Sequence, residues 1–199
     1  MTPDKPLVVT AGEPAGIGPE LCNALAETGI AKHIVVIGDA SLLDERLQIV
    51  DTPFPAPVIA GQPNPDNAET LLDGLKLAVS GCLQGKYSGL VTAPLAKNVI
   101  AESGVAFTGH TEFLAELTQS ELPVMLLVAG DLRVALASTH LPLREVADYI
   151  TTDRLIRIIE VLHAGLQLRF GIDKPEIIVC GLNPHAGESG HLGSEDNAI

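Results

Sequence analysis

The stretch LVVTAGEPAGIGPELCNALAETG, residues 7–29, sets the architecture. It opens on an apolar β-branched run (7–12), turns through three glycines and Pro19, and continues as a helix candidate (18–29). A strand that is apolar throughout is one covered on both faces. The same strand-then-helix unit recurs along the chain. Residues 34–39, 89–94, 124–130, 133–139 and 176–182 read as further strands, and 67–83, 95–103, 110–118 and 151–171 as further helices. This alternation predicts an α/β fold with a mostly parallel sheet.

The totals agree with a packed core. Of 199 residues, 46% are apolar but only 3% aromatic, with no Trp, so Val, Ile, Leu and Ala must fill the interior. That length suits one or two domains. A net charge of −13 argues against nucleic acid or an anionic membrane as partner, since both require basic patches. It leaves room for an anionic small molecule, which a few local donors can hold. Cys22, Cys82 and Cys180 are odd in number and never spaced C-x-x-C, which points to reduced thiols and neither a disulfide frame nor a zinc ribbon. The first residues lack the pattern of a signal peptide, and no apolar run approaches the ~20 residues of a membrane span. The expectation is a cytoplasmic protein.

Two elements carry their own punctuation. In 151–171, Leu155, Ile158, Ile159, Leu162 and Leu166 fall on one helical face, with Thr151 or Thr152 able to cap the start and Gly171 suited to the end. VMLLVAGDLRVALAST reads as two antiparallel strands around a Gly130-Asp131 turn. The five prolines of 51–67 mark a surface connection or a strand flanked by loops, and no linker or repeat is evident.

Open α/β sheets bind ligands beyond the carboxyl ends of their strands, so the loops that follow strands are where chemistry is expected. AGEPAGIGPE (11–20) could turn backbone N–H groups toward an anion, or could simply be a tight strand-to-helix turn. It is neither a G-x-G-x-x-G fingerprint nor a P-loop. Lys97 lies near a helix start, where a cation is electrostatically misplaced unless an anion answers it; a solvated lysine is the alternative. In FTGHTEF (107–113), His110 and Thr111 begin a helix, either as caps or as groups that hold a phosphate or polyol. His140 in STHLPL and His185 in NPHAG each follow a strand end, and two such imidazoles can share a divalent cation or play structural parts. His33 and His163 fall outside that pattern.

Taken in order, GEPAGIGPE, TAPLAKNVI, GVAFTGHTEFLAE, STHLPLREVADYIT and CGLNPHAGESGHLGSE resemble the 4-hydroxythreonine-4-phosphate dehydrogenases of vitamin B6 synthesis, along essentially all 199 residues. The resemblance implies an isocitrate/isopropylmalate dehydrogenase-like α/β/α fold and a homodimer with its active site at the subunit interface. It implies a divalent metal (Zn, Mg or Co) held by three histidines, with His140 and His185 matching two of them. His110 and Thr111 match substrate-binding positions, Lys97 matches a lysine near the substrate, and His191 matches no ligand. The implied substrate is a small phosphorylated hydroxy-amino acid, oxidised with NAD or NADP.

Family members continue well past the point that matches Ile199. Residues 1–199 therefore correspond to the N-terminal portion of the family fold, and the third metal histidine lies outside them. The expectation for these residues alone is weak metal binding and no turnover. Related catabolic dehydrogenases acting on phosphorylated threonate, erythronate or a dihydrodiol carboxylate share the histidine motifs, and an inactive truncated module is a further alternative. A metal-dependent hydrolase ranks below these, because no H-E-x-x-H is present.

Overall fold

A computed structural model describes residues 5–199, in two compact units that meet in sequence at Glu121 and Leu122. In the first unit, β1 (Leu7–Thr10), β2 (Ile34–Gly38), β3 (Ile49–Asp51) and β4 (Leu90–Thr92) form one parallel sheet in the order β3-β2-β1-β4. Val9 sits opposite Val36 on one side and Val91 on the other. Alternation along β1 and β2 divides their side chains between two cores. Val9, Ile34 and Val36 pack with Cys22 of α1 (Gly18–Ala26), while Val8 and Ile37 pack with Ala78 of α2 (Ala68–Leu83) and with Tyr87. Both faces of the sheet are therefore covered, as the unbroken apolar strands require.

A third cluster places the loops that matter for function. Ala68, Leu72 and Leu75 of α2 enclose Ile100 of α3 (Lys97–Glu102), and Phe107 and Phe113 pack against them. Phe113 belongs to α4 (His110–Leu117), so this packing fixes where α4 begins. Burying a leucine such as Leu75 contributes about 1.5–3 kcal/mol.

The second unit, Leu122–Ile199, begins with an antiparallel hairpin, β5 (Leu126–Ala129) and β6 (Leu132–Ala135). It turns at Gly130, whose φ of 59° lies in the left-handed region that such two-residue turns demand. A short α5 (Val146–Tyr149) precedes α6 (Thr152–Phe170). Thr151 accepts a hydrogen bond from the Arg154 N–H at one end of α6, and Gly171 closes the other at φ 66°. The final helix, α7, spans Glu195–Ala198.

The parallel sheet, the hairpin and the α6 stripe follow the sequence expectations. Two features do not. β3 is a three-residue strand just ahead of the proline-rich connection, and its brevity hid it. Residues 176–182 were expected to be a strand, yet they join no sheet. Among the described residues, no backbone–backbone hydrogen bond ties down 176–180. Ile178 is 90% exposed. Apolar β-branched composition favours a pleated environment, but a strand also needs a partner edge to pair with, and neither hairpin strand pairs with this segment.

Candidate active-site loops

The turn after β1 owes its shape to glycine. Gly12 has φ 73°, and a Cβ there would lie 2.4 Å from the Pro94 carbonyl oxygen, so only glycine lets this turn approach the loop after β4. The Glu13 N–H donates to that same Pro94 carbonyl at 2.9 Å. Glu13 itself is only 5% exposed. One of its carboxylate oxygens accepts from the Ala15 N–H at 3.2 Å, and Oε2 has no partner among the described residues. Burial pushes this carboxyl above its ordinary pKa, and the Ala15 N–H only partly offsets that.

α4 begins without a side-chain cap. Its cap position is Gly109, so neither His110 nor Thr111 is consumed in that structural role. The first-turn N–H groups of a helix without a cap remain available to an acceptor. The His110 ring stacks edge-on against Phe107, with centroids 5.9 Å apart, and its Nε2 is buried without a partner among the described residues. Burial, and secondarily the Lys97 ammonium, hold its pKa below the ordinary value, which keeps the ring neutral at neutral pH. Lys97 and Glu112 both reach Gly109: a Cβ at that glycine would lie 3.1 Å from Lys97 Nζ and 3.0 Å from Glu112 Oε2. Glu112 Oε2 is likewise buried without a partner among the described residues. The start of α4 thus gathers an imidazole, a hydroxyl, free helix amides, a carboxylate and an ammonium.

In the second unit, one apolar groove of about 740 Å³ is walled by β6 and its continuation (Val134, Ala135, Ala137), by α6 (Ile158, Leu162) and by the unpaired run (Ile177, Cys180). Ala137 lies just ahead of His140, and Cys180 just ahead of His185. Both histidine loops therefore issue from walls of the same groove. His140 and His185 are both exposed to solvent.

The loop bearing His185 has an uncommon backbone. Five successive residues, 185–189, all have positive φ: 55°, 51°, 75°, 43° and 59°. Four of them are not glycine, and a left-handed conformation costs each of those roughly 1–2 kcal/mol. Such strain persists only where surrounding contacts impose it, and it concentrates at functional sites. The residues that lead into this turn are held by Asp196. Its carboxylate accepts from the Leu182 N–H at 2.7 Å, from the Asn183 N–H at 3.1 Å and from Asn183 Nδ2 at 3.0 Å. Glu195 accepts a further bond from Asn183 Nδ2 at 2.9 Å.

Among the described residues, no group of three or more His, Cys, Asp or Glu side chains is arranged to hold a metal ion. The histidines set aside on sequence lie elsewhere: His33 ends a short 3-10 turn before β2, and His163 is on an exposed position of α6. His191 closes the left-handed turn through its own N–H to the Glu188 carbonyl. Sequence reading passed over Glu13, Glu112 and Asp196. For Glu13, the placement of a carboxylate between Gly12 and Pro14 was the available signal.

Comparison with known proteins gives a consistent result. The family model for pyridoxal phosphate biosynthetic protein PdxA matches residues 19–199. A 4-hydroxythreonine-4-phosphate dehydrogenase from Stutzerimonas stutzeri is 47% identical across 98% of this chain and 68% of its own length. Another, from Pseudomonas syringae, is 49% identical across 96% and 67%. The crystal structure of the Klebsiella pneumoniae 4-hydroxythreonine-4-phosphate dehydrogenase is similar at a TM-score of 0.88, with 32% identity, over 98% of this chain and 68% of that one. A terephthalate 1,2-cis-dihydrodiol dehydrogenase from Burkholderia xenovorans is more distant, with a TM-score of 0.68 and 25% identity, over 98% and 67%. The chain spans about two thirds of the length of these relatives. Among the described residues, no helix is long and apolar enough to cross a membrane.

Proposed function

Because this chain belongs to the pyridoxal phosphate biosynthetic protein PdxA family, we propose that His110, Thr111, His140 and His185 serve in it the oxidation of 4-phosphooxy-L-threonine. It is an oxidoreductase of vitamin B6 synthesis. The reaction removes the C3 hydrogen as hydride to NAD+ or NADP+ and releases the hydroxyl proton. The resulting β-keto acid then breaks its bond to the carboxylate, losing CO₂, and the carbon that carried it takes up a proton to leave 3-amino-2-oxopropyl phosphate.

One observation carries the substrate side of this reading: the buried Nε2 of a neutral His110, without a partner among the described residues, at an uncapped helix start. A neutral imidazole has one N–H and one lone pair, so it can both donate to and accept from substrate polar groups. The Thr111 hydroxyl and the first-turn amides of α4 supply donors of the kind that suit a phosphate. Lys97 adds positive charge beside them.

His140 and His185 are the residues that would hold a divalent cation (Zn, Mg or Co). Neutral imidazoles leave such an ion its full charge, and both loops open from the walls of one groove. When bound, the ion supplies Lewis acidity that lowers the pKa of the hydroxyl to be oxidised. The third ligand, the choice between NAD and NADP, a homodimer with its active site at the subunit interface and a cytoplasmic location belong to the same reading.

Turnover of 4-phosphooxy-L-threonine, followed as reduced nicotinamide in the protein at the full length of its relatives, tests this. His140→Ala and His185→Ala should each lower turnover by at least roughly 100-fold and remove metal, with far-ultraviolet circular dichroism unchanged. Unchanged metal content in either variant removes that residue from the site. The distant likeness to a dihydrodiol dehydrogenase motivates a second substrate panel. Turnover confined to dihydrodiol carboxylates would move the chain to that class.

A further inference from the structure

We propose that Asp196 is a positioning residue for His185: its carboxylate locks the left-handed turn that sets the direction in which the imidazole projects. This rests on the reading of His185 as a metal ligand.

The turn 185–189 is held in a conformation that non-glycine residues avoid, so something outside it must impose that shape. The two backbone amides that lead into it, Leu182 and Asn183, both donate to the Asp196 carboxylate, one to each oxygen. A planar acceptor that engages consecutive N–H groups fixes the path of the chain as it enters the turn. The Asn183 side chain, itself held by Asp196 and Glu195, removes the remaining freedom at that residue. The Asn183 carbonyl then accepts from the Ala186 N–H at 3.0 Å. On the far side, the Leu192 N–H donates to the Gly187 carbonyl at 3.0 Å. Gly187 is buried there: a Cβ would meet the Gly193 carbonyl at 2.6 Å and Asp196 Oδ2 at 3.5 Å. His185 is thus the second residue after an anchored Asn183 and lies between it and the Ala186 N–H that bonds back to it.

A carboxylate that only stabilised the end of the chain would make the same contacts, so the test isolates coupling to His185. The probe is Zn²⁺, with affinity measured by competition against a chromophoric chelator. The proteins, each at the full length of the relatives, are the unaltered sequence, Asp196→Asn, Asp196→Glu, His185→Ala and the Asp196→Asn/His185→Ala pair. Asp196→Asn keeps the side-chain shape but replaces one acceptor oxygen with a donor. The expected result is a loss of roughly 10- to 100-fold in Zn²⁺ affinity for Asp196→Asn, partial recovery in Asp196→Glu, and no additional loss from Asp196→Asn once His185 is absent. An equal loss with and without His185, or no loss at all, overturns the positioning role while leaving the metal reading intact. If His185→Ala alone leaves affinity unchanged, the metal reading falls and this proposal falls with it.

Discussion

The two units of this chain handle apolar strands in opposite ways. In residues 5–121, β1 and β2 lie inside a parallel sheet with helices on both faces, and Val8 and Val36 are fully buried. In Leu122–Ile199, the hairpin leaves Leu127, Val128 and Leu132 more than half exposed. Of the apolar side chains there, only Ile158 and Leu166 of α6 are buried. Similar residue types therefore have different energetic weight. An apolar strand contributes stability only when a neighbouring edge and two covering layers are supplied, and these come from elsewhere in the sequence.

The sharpest way to break this comparison is a matched pair of truncations. Leu75→Ala, at a side chain only 1% exposed, should cost about 2–5 kcal/mol, read as a shift in the urea midpoint. Ile178→Ala, at a side chain in solvent, should stay within about 0.5 kcal/mol. Equal losses would mean that 176–180 is packed in solution in a way the structure does not show.

A smaller contrast uses two glycines with nearly the same backbone. Gly12 (φ 73°) and Gly171 (φ 66°) would both strain an alanine, but a Cβ at Gly12 strikes the Pro94 carbonyl and one at Gly171 meets open space. Gly171→Ala should cost about 1 kcal/mol, and Gly12→Ala clearly more, by the same denaturation assay. Equal costs would show that the loops after β1 and β4 can separate without penalty.

The smallest effect is electrostatic and confined to the first unit. His110 has a folded pKa below its ordinary 6.5, from burial and then Lys97. As pH falls below about 6.5 the unfolded chain takes up a proton that the folded chain refuses. His110 therefore contributes stability above that pH, and the contribution is lost as pH falls through the window down to the folded pKa. A nuclear magnetic resonance titration should place the His110 midpoint below 6.5, and His110→Gln should flatten the slope of stability with pH. A midpoint at or above 6.5 would contradict the half-buried, neutral ring.

How legible these features were follows from how local their causes are. Gly130-Asp131 announced the hairpin, and Thr151 and Gly171 announced the ends of α6, because caps and turns are written in adjacent residues. The missing pairing of 176–182 was not legible, since partner strands are set by tertiary arrangement and not by composition. The same holds at the site. His110, Thr111, His140 and His185 stood out through their motifs. The burial of Glu13, the uncapped start of α4 and the reach of Asp196 back to Leu182 depend on contacts that no sequence window contains.

The proposed chemistry requires His140 and His185 to contribute to one metal centre. X-ray absorption spectroscopy of the zinc-loaded protein addresses this directly. Imidazole nitrogens are expected at about 2.0–2.1 Å from the ion, with one lost in His140→Ala and one in His185→Ala. A zinc shell unchanged by either substitution would contradict it.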